Sequence, residues 1–186
     1  MVNFELMQKE LLAYDANREK LIKKGRDLLK LSKLVIYAVH RSEMDKAAGL
    51  LVDMEKCRGE LDIIALGAAR LSFEGSYKAA ISEYVEAVLY LRFVETGELV
   101  AIEGVSSVHY LLGLADLPGE LVRRAVYLAS KGEKDSVGLI REAVEMIYGK
   151  MLEFNFGNGE LRKKSDGIKY SLNKLEDLML ELKLRG

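Results

Sequence analysis

The sequence is short of the residues that break helices and staple folds. It has one proline, one cysteine and no tryptophan in 186 residues. Proline punctuates loops and blocks helix interiors, so a chain with a single one is nearly free to run as continuous helix. A lone cysteine, Cys57, closes no internal disulfide, which suits a reducing, cytoplasmic compartment. Two histidines and one cysteine cannot assemble a zinc site without carboxylates. Charge of one sign is also missing: 28 basic residues balance 29 acidic ones for a net charge of −1. That excludes a chain coated in positive potential, though not basic residues segregated to one face or to the inside of an assembly. No stretch approaches the ~18 uninterrupted apolar residues that spanning a bilayer requires, and the N-terminus lacks the basic-then-apolar order of a secretory signal.

What is present is helical periodicity. Leu21, Leu28, Val35 and Val39 recur at multiples of three to four residues within a first helix expected from about Phe4 to Arg41. Ser42 followed by Asp45 reads as a capping box opening a second helix to about Arg70. Ser72 to Ser76 breaks the pattern. A third helix runs to about Glu95 and stops at Thr96-Gly97. After a short connection, Ser106-Ser107 cap a fourth helix that reaches Ser130 and ends near Gly132. Asp135 or Ser136 opens a fifth, to about Phe154. Gly157-Asn158-Gly159 is a loop, and the last helix fills Glu160 to Leu184. The expected architecture is all-α, a bundle of six to seven helices, several of them long, in one domain over residues 1–186. The wide apolar arcs of these helices suggest association with copies or partners; a self-sufficient monomeric bundle is the alternative.

The unusual feature is acidic. The third helix carries Ile81-Ser82-Glu83-Tyr84-Val85-Glu86-Ala87-Val88-Leu89, apolar except for Ser82 and two glutamates spaced three apart, hence on one face. Like charges at that spacing repel, and burial raises their cost. The fourth helix places Asp116 and Glu120 one turn apart and spends the only proline, Pro118, and Gly119 inside that turn, which weakens it. Each pair alone reads more readily as a solvated stripe of an amphipathic helix. Two pairs on neighbouring apolar helices suit a hard divalent cation, Mg²⁺ or Mn²⁺, held by carboxylates and water. Such a site can activate water and stabilise the leaving oxygen in phosphodiester hydrolysis. Other chemistries find no support: there is no Walker motif, no complete dinucleotide fingerprint and no HExxH. Neither His40 nor His109 follows a glutamate by three residues, as a di-iron bundle requires.

At these residues the sequence resembles the translin and translin-associated factor X (TRAX) family. Glu83-Tyr84-Val85-Glu86-Ala87-Val88 and Tyr110-Leu111-Leu112-Gly113-Leu114-Ala115-Asp116-Leu117-Pro118-Gly119-Glu120-Leu121 are similar to the two catalytic segments of the TRAX branch. Arg26-Asp27, Ser32-Lys33 and His40-Arg41 fall at the family's spacing, and the run from Leu161 to Tyr170 looks closer to translin. Two departures stand out: Pro118 occupies a position that is usually threonine in the TRAX pattern, and the insertion that animal TRAX proteins carry before the second catalytic segment is missing.

The resemblance implies an all-helical fold, a hollow homo-oligomer (an octamer in the family) and a Mg²⁺-dependent endoribonuclease acting on single-stranded RNA. Glu83, Glu86, Asp116 and Glu120 would be both metal ligands and catalytic residues. Lys33, Arg41 and Arg123 would contact phosphate, unless they are ordinary helix-surface charges. Lys163 and Lys164 read as solvated face. The alternative is a non-catalytic scaffold for single-stranded RNA or DNA, as in the translin branch, which lacks the four carboxylates. A carboxylate metal bundle with no affinity for RNA is a third reading.

Overall fold

The computed structural model describes residues 2–68 and 70–184. They form helices α1 (Phe4–His40), α2 (Met44–Leu66), α3 (Gly75–Thr96), α4 (Ser107–Ser130), α5 (Lys134–Leu152) and α6 (Glu160–Leu184), with one 3₁₀ turn, Leu71–Phe73, before α3. No strand occurs among the described residues, and none of their helices is long and apolar enough to cross a membrane. The all-α expectation holds.

The chain divides into two compact units, residues 1–87 and 88–186. The boundary falls inside α3, with no loop at the junction.

In the first unit the predicted seam is the buried one. Leu21, Leu28, Val35 and Val39 are fully inaccessible to solvent, with Gly25, Ser32, Ile36 and Ala38 filling the stripe between them. The α2 helix runs back along α1, since Ser32 meets Met54 and Lys24 meets Glu60 further along. Buried Met54, Cys57 and Leu61 supply its facing side. Ser32 spends its hydroxyl on the Leu28 carbonyl one turn back (2.9 Å) and on the Met54 sulfur, so it is packing rather than a site residue.

Gly25 lets α1 approach α3. A Cβ there would lie 3.3 Å from the Ser76 carbonyl oxygen and 3.7 Å from the Ala80 methyl. The 3₁₀ turn buries Leu71, and Glu74 just after it accepts from Tyr14 Oη (2.5 Å) and Arg18 Nε (3.0 Å) of α1.

The turn from α1 to α2 differs from its expected form. Ser42 does not cap α2; it sits at φ 58°, in the left-handed region, and ends α1. Its N–H donates to the Val39 carbonyl and the N–H of Glu43 to that of Ala38, the paired bonds of a Schellman stop. Glu43 is the residue preceding α2, and its side chain caps nothing. Instead it takes Arg41 Nε at 2.5 Å and Lys46 Nζ at 2.9 Å, which hold its carboxyl below the ordinary value, Arg41 foremost. The α2 helix also ends at Leu66 rather than near Arg70, because a tight 3₁₀ turn is inserted before α3.

In the second unit α4, α5 and α6 all pack on one another. Their shared core is Leu112, Leu117, Leu121, Ala125 and Leu128 of α4, Val137, Ile140, Val144 and Ile147 of α5, and Ile168, Leu172 and Leu175 of α6. Ser106 caps α4 as its position predicts, accepting from the His109 N–H and lying 3.0 Å from His109 Nδ1. Gly132, at φ 80°, closes α4 with the same pair of bonds that Ser42 makes at the end of α1. The α4 helix runs unbroken through Pro118.

Candidate carboxylate site

Two networks within the first unit fix the part of α3 that carries Glu83 and Glu86. Tyr77 Oη donates to Asp62 Oδ1 (2.8 Å), and Tyr84 Oη donates to Glu55 Oε1 (2.9 Å). Between them Arg58 pairs with Asp62 at 2.9 Å and lays its guanidinium over the Tyr84 ring, 5.4 Å from the centroid. Burial pushes both phenols well above their ordinary pKa, with the acceptor carboxylates adding to the effect. Two tyrosines seven residues apart thus hold α3 against α2 by the same face.

Glu86 is 8% exposed and Glu83 half-buried, on a helix whose residues 84–91 are otherwise all buried and apolar. Ser82, one turn before Glu86, is buried too, and its hydroxyl has no hydrogen-bond partner. The acidic pair is therefore not a solvated stripe: Glu86 is set in apolar surroundings, where a carboxylate requires a compensating partner.

The second pair, on α4, is half-buried, with Asp116 and Glu120 one turn apart on a helix that also buries Leu117, Pro118 and Leu121. Asp116 is joined by Lys164 of α6, whose ammonium donates to Asp116 Oδ2 and lies 3.9 Å from Glu160 Oε1. Glu120 acts electrostatically on Tyr90, a fully buried phenol of α3 that burial pushes well above its ordinary pKa, with Arg124 and Arg123 pulling the other way and Glu120 adding to the rise.

The three basic residues expected at phosphate are all exposed. Arg41 is engaged locally, bonded to Glu43 and placed 5.7 Å from the Tyr37 ring centroid. Lys33 lies on the outer side of α1 next to buried Ser32. Arg123 is exposed on α4, whereas its neighbour Arg124 is half-buried and faces Tyr90. Lys164 departs from its reading as solvated face. It stands between Leu161 and Ile168 on the packed side of α6, and that register was the available signal. Arg124 and Tyr90 carried no comparable signal, because only the fold sets them beside Glu120.

Among the described residues no group of three or more His, Cys, Asp or Glu side chains is gathered closely enough to hold a metal ion. The chemistry of the donors nevertheless fits a hard divalent cation. All four are carboxylates, Asp116 already holds a cation in the form of an ammonium, and the Ser82 hydroxyl beside Glu86 is unspent.

A model of the translin family matches residues 16–186. The chain belongs to the translin family. Translin-associated protein X of Mus musculus is 29% identical over 229 aligned positions, covering all of this chain and 79% of that protein. The alignment is longer than the chain, so the mouse protein carries insertions that this one lacks. The Translin-associated protein X homolog of Schizosaccharomyces pombe is 26% identical, covering 90% of this chain and 81% of its own. Translin of Gallus gallus is 25% identical over 61% of this chain and 57% of that protein. The fold is shared with solved structures: AfC3PO at a TM-score of 0.90 and AfC3PO in complex with duplex RNA at 0.88, each 24% identical and covering 99% of this chain and 98% of theirs.

Proposed function

We propose that this translin-family protein is a metal-dependent endoribonuclease that cleaves single-stranded RNA inside a hollow homo-oligomer, an octamer by analogy with its family. The observation that carries the reading is the pairing of Glu83 with Glu86 on α3 and of Asp116 with Glu120 on α4, in stretches that resemble the catalytic segments of the TRAX branch. Glu86 is buried as no solvated charge would be. Membership of the translin family and the duplex RNA held by AfC3PO support RNA as the ligand.

Glu83, Glu86, Asp116 and Glu120 would hold one or two Mg²⁺ or Mn²⁺, which supply a hydroxide-like nucleophile and charge for the leaving oxygen when bound. The chain's own contribution is positional. Tyr77 and Tyr84 lock the register of α3, and the apolar residues around Glu86 keep bulk water from that carboxylate. Lys33, Arg41 and Arg123 contact backbone phosphates, so that affinity falls with added salt. A near-neutral chain accommodates this if such residues line the interior of the assembly.

One observation favours a second reading, a non-catalytic RNA-binding scaffold: Lys164 already neutralises Asp116. The two part in a cleavage assay on labelled single-stranded and duplex RNA, with Mg²⁺ or Mn²⁺ and with EDTA. The nuclease cuts the single strand only with metal, and Glu86→Gln and Asp116→Asn abolish cutting while binding persists. Cleavage undiminished in both variants sinks the site assignment. Chelator-insensitive binding with no product establishes the scaffold.

A further inference from the structure

The lysine on Asp116 is a specific arrangement. Lys164 belongs to α6 and Asp116 to α4, 48 residues apart, in helices that pack on each other. Both side chains are partly shielded, 27% and 31% exposed. Buried Ser165 and Ile168 of α6 fix the face from which the ammonium is presented, and Glu160, one turn back, offers it a second carboxylate at 3.9 Å. The ammonium is thus bracketed by acids, with Asp116 Oδ2 as its closest partner.

We propose that Lys164 is a built-in competitor for the divalent cation, holding Asp116 while metal is scarce and giving it up when metal binds. This rests on the reading of Asp116 as a metal ligand. With Asp116 Oδ2 held by an ammonium, the carboxylate is a weaker ligand for Mg²⁺ or Mn²⁺, because its negative charge is already shared and two cations at that separation repel. The competitor is tethered, so its effective concentration is fixed by the fold rather than by the solution. Apparent metal affinity is then the intrinsic affinity scaled by the fraction of molecules in which Asp116 is released. In the metal-free protein the same ammonium offsets the repulsion between Asp116 and Glu120, one turn apart. The pair therefore raises the concentration of divalent metal at which the site fills. Glu160, 3.9 Å from the ammonium, is a second carboxylate within its reach.

The test is Mn²⁺ binding to the full-length protein, read as loss of the free-ion paramagnetic resonance signal, in wild type, Lys164→Met, Lys164→Gln, Lys164→Arg and Asp116→Asn. Removing the ammonium should tighten Mn²⁺ binding about fivefold, the upper end for a partly exposed ion pair. Lys164→Arg, which keeps the charge, should bind as wild type does. The gain should vanish when Lys164→Met is combined with Asp116→Asn, since the competition acts through that carboxylate alone. Unchanged or weaker Mn²⁺ binding in both Lys164→Met and Lys164→Gln overturns the competition and leaves the metal site standing. Mn²⁺ binding that is absent in wild type, or indifferent to Asp116→Asn, removes the metal reading and the competition with it.

Discussion

Tyr84 Oη donates to Glu55 Oε1 at 2.9 Å, tying α3 to α2 one residue after the first site glutamate. The ring is 1% exposed and sits beneath the Arg58 guanidinium, while Glu55 lies at the surface. The bond thus runs from a buried donor to a carboxylate that water can otherwise satisfy. Tyr84→Phe keeps the ring and removes only the hydroxyl. It should lower stability by about 1 kcal/mol, the net worth of one such bond. In a thermal melt of a protein this size that is roughly 2–4 °C. The bond orients α3, so under the proposed nuclease function Tyr84→Phe should also slow RNA cleavage without changing RNA affinity.

High pH should unfold the protein through its tyrosines. Burial pushes Tyr77, Tyr84, Tyr90 and Tyr110 above their ordinary pKa, with acceptor carboxylates adding to it at Tyr77 and Tyr84. In the unfolded chain these phenols ionise near pH 10. Below that pH both states hold the proton and the shifts cost nothing. Above it the unfolded chain releases protons that the native state retains, so stability falls as pH rises. Each raised phenol contributes up to about 1.4 kcal/mol per pH unit in that window. Melting temperature should hold steady to about pH 9 and then drop more steeply than one group allows. The tyrosinate absorbance of Tyr77, Tyr84, Tyr90 and Tyr110 should appear only with unfolding. A gradual titration of these four near pH 10, with the fold intact, would contradict this.

Much of the fold was legible because long helices write their seams into the sequence. Leu21, Leu28, Val35 and Val39 needed only the helical period to be picked out, and all four are fully buried. What local pattern could not give was the use of a polar residue that suits two roles. Ser42 with Asp45 satisfies the spacing of a capping box, yet Ser42 ends the helix before it; the choice is made by how α1 and α2 meet. Lys164 shows a related limit at the site, for its register beside Ile168 marks the packed side of α6 but not that Asp116 is what it meets there. The acidic pairs were legible as anomalies, since polar residues stand out on an apolar helix. What surrounds them was not, because Arg124 and Tyr90 meet Glu120 through tertiary packing alone.

The two Schellman stops provide a matched comparison. Ser42 and Gly132 occupy the same left-handed position, at φ 58° and φ 80°, and the N–H of each donates to the carbonyl three residues back. A side chain with a Cβ costs about 1 kcal/mol or more in that conformation, whereas glycine adopts it freely. Ser42→Gly should therefore raise stability by about 0.5–1 kcal/mol, because Gly also lacks the strain that Ser bears there. Gly132→Ala should lower it by about 1 kcal/mol, although nothing lies within 4 Å of the added methyl and no packing is disturbed. Opposite signs in urea unfolding, with unchanged dependence on denaturant, would tie both effects to the backbone. A loss of stability in Ser42→Gly would mean instead that the Ser42 side chain holds the turn.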